Sequence, residues 1–243
     1  MKYFGKTDIG SRRSNNEDAF YAEENESRGL YIVADGMGGH KAGEVASSLA
    51  IDTICTEMMI HDAKEMNILS SLRSAVKSAS KRIYRHAQKN NDLLGMGTTV
   101  DACIIDDLTA YIAHVGDSRV YLFRENKLHQ ITTDHSLVEE MVQNHQITPE
   151  EALVHPMRNI ITRALGDENV LVDTIELELT EKDKLLLCSD GLSGMVSDDE
   201  ICALMLEGTP QTIVENLIKK ANDNGGDDNI TAIVVFTEKR EEE

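Results

Sequence analysis

Residues 100–131 read VDACIIDDLTAYIAHVGDSRVYLFRENKLHQI, in which apolar stretches alternate with short polar breaks. Val100, Ala102 and Ile104 keep the two-residue period of a β-strand, and Glu125-Asn126 is a plausible hairpin turn. Further strands are predicted at 110–115, 120–123 and 127–131. Successive hairpin strands favour antiparallel sheets, so this segment predicts an α+β fold rather than a doubly wound α/β fold.

The sequence upstream of this segment supplies a strand and two helices. A continuous apolar run at 30–34 predicts a buried strand. Apolar residues at helical spacing predict helices at about 43–60 and 67–89. Two adjacent helices with apolar stripes are expected to cover a sheet.

The sequence downstream continues the alternation of strands and short helices. Strands are predicted at 175–179, 185–188 and 230–236. Glu176 and Glu178 alternate with apolar residues, so the first of these strands has one solvated face. Capping motifs predict short helices that start after Ser136, Thr148, Ser197 and Thr209.

The composition is that of an acidic globular chain of 243 residues, with 43 Asp plus Glu, 24 Lys plus Arg and a formal net charge of -19. This charge argues against binding to nucleic acid or to an anionic membrane, both of which require Lys and Arg. The longest purely apolar run, 201–206, is far too short to span a membrane. One domain is expected over 1–237, followed by a charged tail, EKREEE, at 238–243.

The four cysteines lie beside apolar neighbours and form no Cys-x-x-Cys pair: Cys55, Cys103, Cys188 and Cys202. They are expected to be buried free thiols in a reducing compartment, rather than a catalytic thiol or a zinc site. No signal peptide is visible at the N-terminus, so a cytoplasmic location is expected.

The feature that points to chemistry is an acid that recurs at the ends of apolar stretches: Asp18, Asp35, Asp117, Asp190 and Asp228. An Asp-Gly pair after a strand, as at Asp35-Gly36, is by itself a common turn signal. Strand ends in one packed sheet lie near one another, however, and several carboxylates gathered there would repel strongly. Only a cation makes such a cluster stable.

The ligand type selects the cation. Carboxylate oxygens without an obligatory His or Cys suit magnesium or manganese better than zinc or copper. Gly36 allows the backbone to come close, so its carbonyl is a further candidate ligand. The number of acids favours two bridged ions, which can generate a hydroxide and clamp a phosphate. The pattern therefore predicts a metal-dependent hydrolase.

Arg13 lies five residues before Asp18 and is a candidate to bind a substrate phosphate. Its planar guanidinium suits bidentate contacts with phosphate oxygens. A solvated arginine within the polar run at 11–18, SRRSNNED, is the alternative.

Eight segments between Thr7 and Val235 resemble, in order, the bacterial branch of the metal-dependent type 2C (PPM family) serine/threonine protein phosphatases. They are TDIGSRRSNNEDAF, VADGMGGHKAGEVAS, GMGTTV, AHVGDSRVYLFR, QITTDHSLVEEMV, HPMRNIITRALG, LLLCSDGLSGMVSDDEI and GGDDNITAIVV. One segment is a weak signal, but eight in sequence are specific. The resemblance implies a four-layer αββα sandwich with a flap at about 134–165 that influences substrate choice.

The resemblance also implies a site with two Mn²⁺ or Mg²⁺ ions and assigns roles to residues of this chain. Asp35 would bridge the ions and Gly36 would contribute its carbonyl. Asp190 and Asp228 would hold the first ion, and Glu17 and Asp18 would act through bound waters. Arg13 would bind the substrate phosphate, and Asp117 with Asp190 would hold a possible third ion. A water or hydroxide that bridges the metals would attack phosphorus in line, so no Ser or Cys nucleophile is needed.

One position departs from the eukaryotic members of the family, which carry a His directly after the metal-binding Asp-Gly. Here that residue is Met37, as in bacterial relatives. His40, three residues on, is a hypothetical donor of the proton that the leaving alkoxide needs. A structural or substrate-contacting His40 is the alternative, and a metal-bound water could provide the proton instead.

The expected activity is hydrolysis of phosphoserine and phosphothreonine in phosphorylated proteins by a monomer that opposes a bacterial Ser/Thr kinase. One alternative is a non-catalytic regulator with a phosphatase fold, which would be expected to lack some of the acids. The other is a hydrolase of small phosphoesters.

Overall fold

The computed structural model describes residues 1–24, 28–38, 42–62 and 67–237. Its first sheet contains β1 (Lys2–Asp8), β7 (Arg119–Arg124), β8 (Lys127–Gln130), β10 (Lys184–Cys188) and β11 (Ile230–Phe236). The second sheet contains β2 (Asp18–Glu24), β3 (Arg28–Met37), β4 (Gly97–Thr98), β5 (Val100–Asp106), β6 (Thr109–Val115) and β9 (Asp173–Glu178). Their orders are β1-β11-β10-β7-β8 and β2-β3-β5-β6-β9, with β4 beside β3, and every pair is antiparallel.

The helices of the described ranges are α1 (Ala42–Asp62), α2 (Ile68–Ala87), α3 (Leu137–Gln143), α4 (Pro149–Leu153), α5 (Asp190–Ser193), α6 (Asp198–Met205) and α7 (Pro210–Asp223). In the same ranges, none of them is both long and apolar enough to cross a membrane. The predicted proton donor His40 and the charged tail at 238–243 lie outside the described residues.

The elements stack in four layers, as predicted. The stripe of α1 and α2 that includes Ile54 and Leu72 packs on the second sheet around Ile32. On the other side of the molecule, α6 and α7 cover the first sheet. The two sheets pack on each other through alternate residues of the same strands, such as Val33 and Ile233. Burial on both faces explains why β3, β10 and β11 read as continuous apolar runs.

Three strands were not predicted: β1, β2 and the short β4. β1 and β2 are the edge strands of their sheets, and β1 has Lys2 and Lys6 exposed. An edge strand that keeps lysines in solvent does not produce a long apolar run. The two strands nevertheless pack across the interface, since a Cβ on Gly5 would come within 2.7 Å of the Phe20 ring.

The structure confirms some of the local predictions from the sequence and overturns others. Glu125 and Asn126 have φ angles of 53° and 61°, which confirms the predicted hairpin turn between β7 and β8. Ser197 caps α6 in a full capping box, as predicted. Asp35-Gly36 is not a turn, because β3 continues through it to Met37. The thiols are free, but only Cys103 and Cys188 are buried.

Candidate metal centre

The antiparallel registers bring the predicted acids to one end of the sandwich. Asp18, the first residue of β2, is the register partner of Asp35 near the end of β3. In the first sheet the end of β10 lies beside the start of β11, so Asp190 and Asp228 also meet there. Asp117 follows the end of β6. Strand ends distant in sequence therefore form one cluster of carboxylates.

Asp18 is the most firmly held member of the cluster. Its Oδ2 accepts hydrogen bonds from Ser189 Oγ at 2.8 Å and Thr231 Oγ1 at 2.6 Å. Its Oδ1 is buried and has no hydrogen-bond partner among the described residues. Burial raises the pKa of Asp18 to about 7, with further increases from the charges of Asp190 and Asp228. The two hydroxyls thus fix one oxygen and leave the other without a partner.

Asp35 is positioned through its backbone. Its N–H donates to Thr99 Oγ1 at 3.0 Å, and its carbonyl accepts from Thr98 Oγ1 and from the Thr99 N–H, both at 2.8 Å. The side chain keeps a part of its surface open to solvent, although protein surrounds the rest. Burial raises the pKa of the Asp35 carboxyl well above its usual value, and the neighbouring acids Asp18 and Asp190 raise it further.

Gly36 lies where β3 meets the N-terminus of α1. A Cβ at Gly36 would come within 2.2 Å of the Gly43 carbonyl oxygen and 2.5 Å of the Glu17 carbonyl oxygen. A Cβ on Gly43 would lie 2.4 Å from Glu17 Oε2. β3 and α1 can come this close because positions 36 and 43 are both glycine. The contact places the Glu17 side chain beside the strand that carries Asp35.

Asp190 and Asp117 complete the cluster. Asp190 is the first residue of α5, and its carboxyl lies beside those of Asp35 and Asp228. Burial raises the pKa of Asp190, and the charge of Asp228 raises it further. Burial likewise raises the pKa of Asp117 to about 7, together with the charges of Asp190 and Asp134. Both acids have a buried Oδ1 without a hydrogen-bond partner in the described ranges.

Arg13 reaches the cluster from the loop between β1 and β2. Its Nη2 donates to Asp228 Oδ2 at 2.6 Å. About half of the Arg13 side chain remains exposed, so the guanidinium is accessible to a ligand. Arg13 is therefore both accessible to solvent and paired with one acid of the cluster.

Asn229 holds that loop in place. Its Nδ2 donates to the carbonyls of Ile9 and Asn15, both at 2.9 Å, and its Oδ1 accepts from the Glu17 N–H at 2.8 Å. One amide side chain at the start of β11 thus satisfies three backbone groups of the loop that bears Arg13.

A buried pair of histidines supports the loop that carries Asp117. His114 Nδ1 lies 2.8 Å from Asp101 Oδ1, and the His114 and His135 rings are 4.6 Å apart. The Gly116 N–H donates to His135 Nδ1 at 3.0 Å, and the His135 N–H donates to the Gly116 carbonyl at 2.7 Å. His135, at the start of the predicted flap segment, therefore fixes the residue before Asp117.

The acids are gathered but do not form a closed set of ligands. Within the described residues, no three His, Cys, Asp or Glu side chains are arranged to hold a metal ion. Like charges that face one another are expected to stay apart in this way. The unpartnered oxygens of Asp18, Asp117 and Asp190 nevertheless fit the role of cation ligands, because buried carboxylate oxygens normally have a partner. All of them are hard ligands that fit Mn²⁺ or Mg²⁺.

Sequence reasoning identified the acids and missed the residues that hold them: Thr98, Thr99, Ser189, Asn229 and Thr231. Two of these residues could have been found as sequence neighbours of the acids, since Ser189 precedes Asp190 and Asn229 follows Asp228. Adjacency alone does not reveal that Thr231 binds an acid 213 residues away in the chain.

Comparisons with known proteins identify the family to which the chain is similar. The family model described as "Protein phosphatase 2C" matches residues 4–230. The serine/threonine phosphatase stp of Listeria welshimeri is 42% identical over 95% of this chain and 93% of its own.

Solved structures match over nearly the whole chain. The crystal structure of the Mycobacterium tuberculosis serine/threonine phosphatase PstP/Ppp has a TM-score of 0.91 and 39% identity, and the match covers 98% of both chains. A structure of the PstP catalytic domain in complex with two manganese ions has a TM-score of 0.86 and 38% identity over 96% of both chains.

Proposed function

The chain belongs to the protein phosphatase 2C family, and from that membership we propose that it hydrolyses phosphoserine and phosphothreonine monoesters in proteins. Serine/threonine phosphatases of this family are metal-dependent hydrolases. The single observation that carries the proposal is the carboxylate cluster with Arg13 at its edge, because these are the groups that the chemistry requires.

The proposed centre holds two Mn²⁺ or Mg²⁺ ions, with a possible third. Asp35 would bridge two ions, Gly36 would offer its carbonyl, and Asp117 with Asp190 would hold the third. The remaining ligands would be Asp190 and Asp228 directly, and Glu17 and Asp18 through waters. When bound, such ions lower the pKa of a water molecule and neutralise phosphate charge. The manganese complex of a relative supports the choice of metal.

The proposed role of Arg13 is to bind the substrate phosphate. Its guanidinium now pairs with Asp228 at 2.6 Å and is half exposed. If Asp228 held a metal ion, its carboxylate would share its charge with that ion, and its pair with Arg13 would be weaker. The freed guanidinium can then offer two parallel N–H groups to phosphate oxygens.

Cys188 and Ser189, the two potential nucleophiles that directly precede Asp190, are poorly suited to attack phosphorus. The thiol of Cys188 is buried, and burial raises its pKa, so the reactive thiolate is disfavoured. Ser189 Oγ already donates to Asp18 and accepts from the Thr231 N–H at 2.9 Å. These two observations support direct attack by solvent rather than a phosphoenzyme.

His40 is proposed to contribute to protonation of the leaving alkoxide, because Met37 has no proton to donate. The test compares the pH–rate profiles of His40→Ala and the parent on an aryl phosphate and on a phosphopeptide. An aryl oxide leaves without help, so a general acid matters more for the phosphopeptide. Equal losses on both substrates would exclude the role.

The proposed flap at 134–165 offers an apolar contact surface for protein substrates. It contains α3, α4 and four exposed apolar side chains: Leu153, Val154, Met157 and Ile160. Exposed apolar groups clustered on one segment commonly mark a binding surface. This supports an influence of the flap on substrate choice within a domain proposed to span 1–237.

The kinase whose action this enzyme reverses, a monomeric state and a cytoplasmic location are part of the same proposal. They follow from the resemblance and from the sequence.

The decisive assay is hydrolysis of p-nitrophenyl phosphate. Turnover should require manganese, stop with EDTA, and fall roughly 100-fold or more in Asp190→Ala. The control is Asp199→Ala, which removes an exposed acid of α6 and should keep full activity. Metal-independent turnover, or an active Asp190→Ala, would contradict the proposal.

A second assay distinguishes the two alternatives. A phosphoprotein and small phosphate esters compete for the enzyme, and a lower KM for the phosphoprotein is expected. A preference for small esters would favour the small-molecule hydrolase, and no turnover of either would favour the regulator.

A further inference from the structure

In one stretch of this acidic chain, all the charged residues are Lys or Arg. Residues 67–91 contain none of the 43 acids of the protein. They contain six of its 24 Lys and Arg residues: Arg73, Lys77, Lys81, Arg82, Arg85 and Lys89. The stretch corresponds to α2 and the residues at its two ends, and all six side chains are exposed. Positive charge is therefore concentrated on the outer surface of one helix.

The arrangement of these charges is unfavourable for the helix itself. Lys77, Lys81, Arg85 and Lys89 follow one another at intervals of four residues, so they line a single face. Like charges at this spacing destabilise a helix, whereas an interleaved Glu would stabilise it. In the described ranges none of the six forms a salt bridge; Arg73 and Arg82 bond only to the hydroxyls of Thr174 and Thr53.

Two ordinary explanations cover only a part of the pattern. The helix dipole favours cations in the last turn, which accounts for Arg85 but not for Lys77 two turns earlier. A generic solvated surface would mix charges, as α7 does: Lys219 pairs with Asp223 and Lys220 with Glu200. The basic face of α2 lacks such compensation.

The basic face borders a groove between α1 and α2 of about 510 Å³. Its lining includes Thr53 and Glu57 of α1, and Lys81, Arg82, Arg85 and Lys89 of α2 and the residues after it. Glu57 is the only acid among them, against four Lys and Arg. Arg82 crosses to α1, where its Nη1 donates to Thr53 Oγ1 at 3.0 Å.

We propose that this groove docks an acidic segment of the phosphoprotein substrate, away from the phosphorylated residue. The charge of the lining is complementary to Asp- and Glu-rich peptide. A short peptide interacts mainly with charges within about 8 Å, the screening length at physiological salt, and therefore with the basic face. A long nucleic acid would extend over the rest of a surface whose net charge is -19 and would be repelled.

The groove lies within reach of the carboxylate cluster. Ser47 of α1 donates to the Glu17 carbonyl at 2.7 Å, and Thr53 lies six residues further along the helix, or about 9 Å. α2 is tied to the end of the flap segment, since the Gly166 N–H donates to Ser80 Oγ at 3.1 Å. An extended peptide covers about 3.3 Å per residue, so about three residues span this distance and the acidic segment would start more than three residues from the phosphorylated residue.

The first test measures binding alone. A fluorescent, unphosphorylated peptide with five consecutive Glu residues is titrated with the full chain, and its Gln counterpart serves as the neutral probe. Lys81→Ala/Arg85→Ala should weaken binding of the Glu peptide about fivefold. Lys127→Ala/Lys182→Ala removes the same charge from exposed positions elsewhere and should leave binding unchanged.

The second test rests on the proposed function and measures turnover. A phosphopeptide with five Glu placed eight residues from the phosphoresidue should show a several-fold lower KM than its Gln counterpart, with equal kcat. The difference should vanish in Lys81→Ala/Arg85→Ala and persist in the control, while p-nitrophenyl phosphate turnover stays the same in all three proteins.

The outcomes separate the two proposals. Four results would overturn the docking proposal. Two concern turnover: equal KM values for the Glu and Gln peptides, or a KM difference that survives in Lys81→Ala/Arg85→Ala. Two concern other partners: tighter binding of oligothymidylate than of the Glu peptide, or a dimer that this variant abolishes. Groove-dependent binding of the Glu peptide without any turnover of p-nitrophenyl phosphate would support an acid-binding groove and refute the phosphatase.

Discussion

At the scale of single residues, Asn229 shows how much can depend on one amide. It makes no contact with phosphate in the proposed mechanism, yet it satisfies the backbone of Ile9, Asn15 and Glu17. Arg13 lies within the same loop. The position of the phosphate-binding group therefore depends on a side chain at the start of β11.

We expect Asn229→Ala to lower the free energy of unfolding by about 2–4 kcal/mol, because three backbone groups lose their partners. KM for p-nitrophenyl phosphate should rise as Arg13 loses its position. Denaturant unfolding and steady-state kinetics measure the two effects. Asn224→Ala, which removes one bond to the Met195 carbonyl, is the control and should leave KM unchanged.

The raised pKa values of Asp18 and Asp117, both about 7, predict how the metal-free protein responds to pH. Their folded-state pKa lies above the unfolded value of about 3.9, so the folded state binds more protons. Stability is then greatest at low pH and is lost as pH rises through about 7. His135, whose pKa burial lowers, acts in the opposite direction below pH 6.5.

In EDTA, the melting temperature should therefore fall by about 2–4 °C between pH 6.5 and 8. Asp18→Asn should flatten this dependence, since it removes one of the titrating groups. With saturating manganese the slope should reverse, because the metal requires deprotonated ligands. A melting temperature that increases with pH in EDTA would contradict the raised pKa values.

At the scale of elements, the contact between β3 and α1 positions Asp35 next to Glu17. Gly36 and Gly43 allow the strand and the helix N-terminus to touch through their backbones. The atoms that a Cβ on Gly36 would meet belong to the backbone, so they cannot move aside as a flexible side chain would. The two elements are therefore expected to tolerate no additional atom between them.

Gly36→Ala should cost about 3 kcal/mol or more and abolish manganese-dependent turnover, because its Cβ would overlap two carbonyl oxygens. Gly95→Ala is the matched control. Gly95 has a φ of 77° but open space around its Cβ, so it should lose only about 1 kcal/mol and retain activity. Thermal unfolding and the p-nitrophenyl phosphate assay report both variants; an active Gly36→Ala would show that the contact can relax.

At the scale of the whole molecule, the metal should act as a part of the fold. The carboxylate cluster joins the ends of both sheets, so its repulsion opposes their packing in the absence of cations. Manganese at about 100 times its Kd should raise stability by about 2.7 kcal/mol, or roughly 5–10 °C in Tm. Differential scanning calorimetry of stripped protein with added manganese measures this shift.

Asp190→Asn provides the comparison for that experiment. It removes one negative charge, so the stripped variant should melt higher than the stripped parent and respond less to manganese. A Tm of the parent that does not change when manganese is added would refute the interpretation of the cluster as a metal site.

The sequence predicted the elements whose signal is local. The apolar periods of α1, α2 and the central strands appear directly in the order of residues, and so does the Glu125-Asn126 turn. β1 was missed because an edge strand with exposed lysines has no such signal. It is a strand because β11, more than 200 residues later, offers it a hydrogen-bonding edge.

At the site, too, the sequence reveals local features, whereas the tertiary structure alone reveals contacts between distant residues. The sequence by itself determined which groups are available: acids at strand ends, an arginine and a glycine beside an acid. Only the tertiary structure decided that Asp18 is held by Ser189 and Thr231, that Asn229 holds the loop of Arg13, and which carboxylate oxygens lack a partner. The physical reason is that hydrogen bonds and desolvation depend on distances in space, and these partners lie 171 to 214 residues apart in the chain.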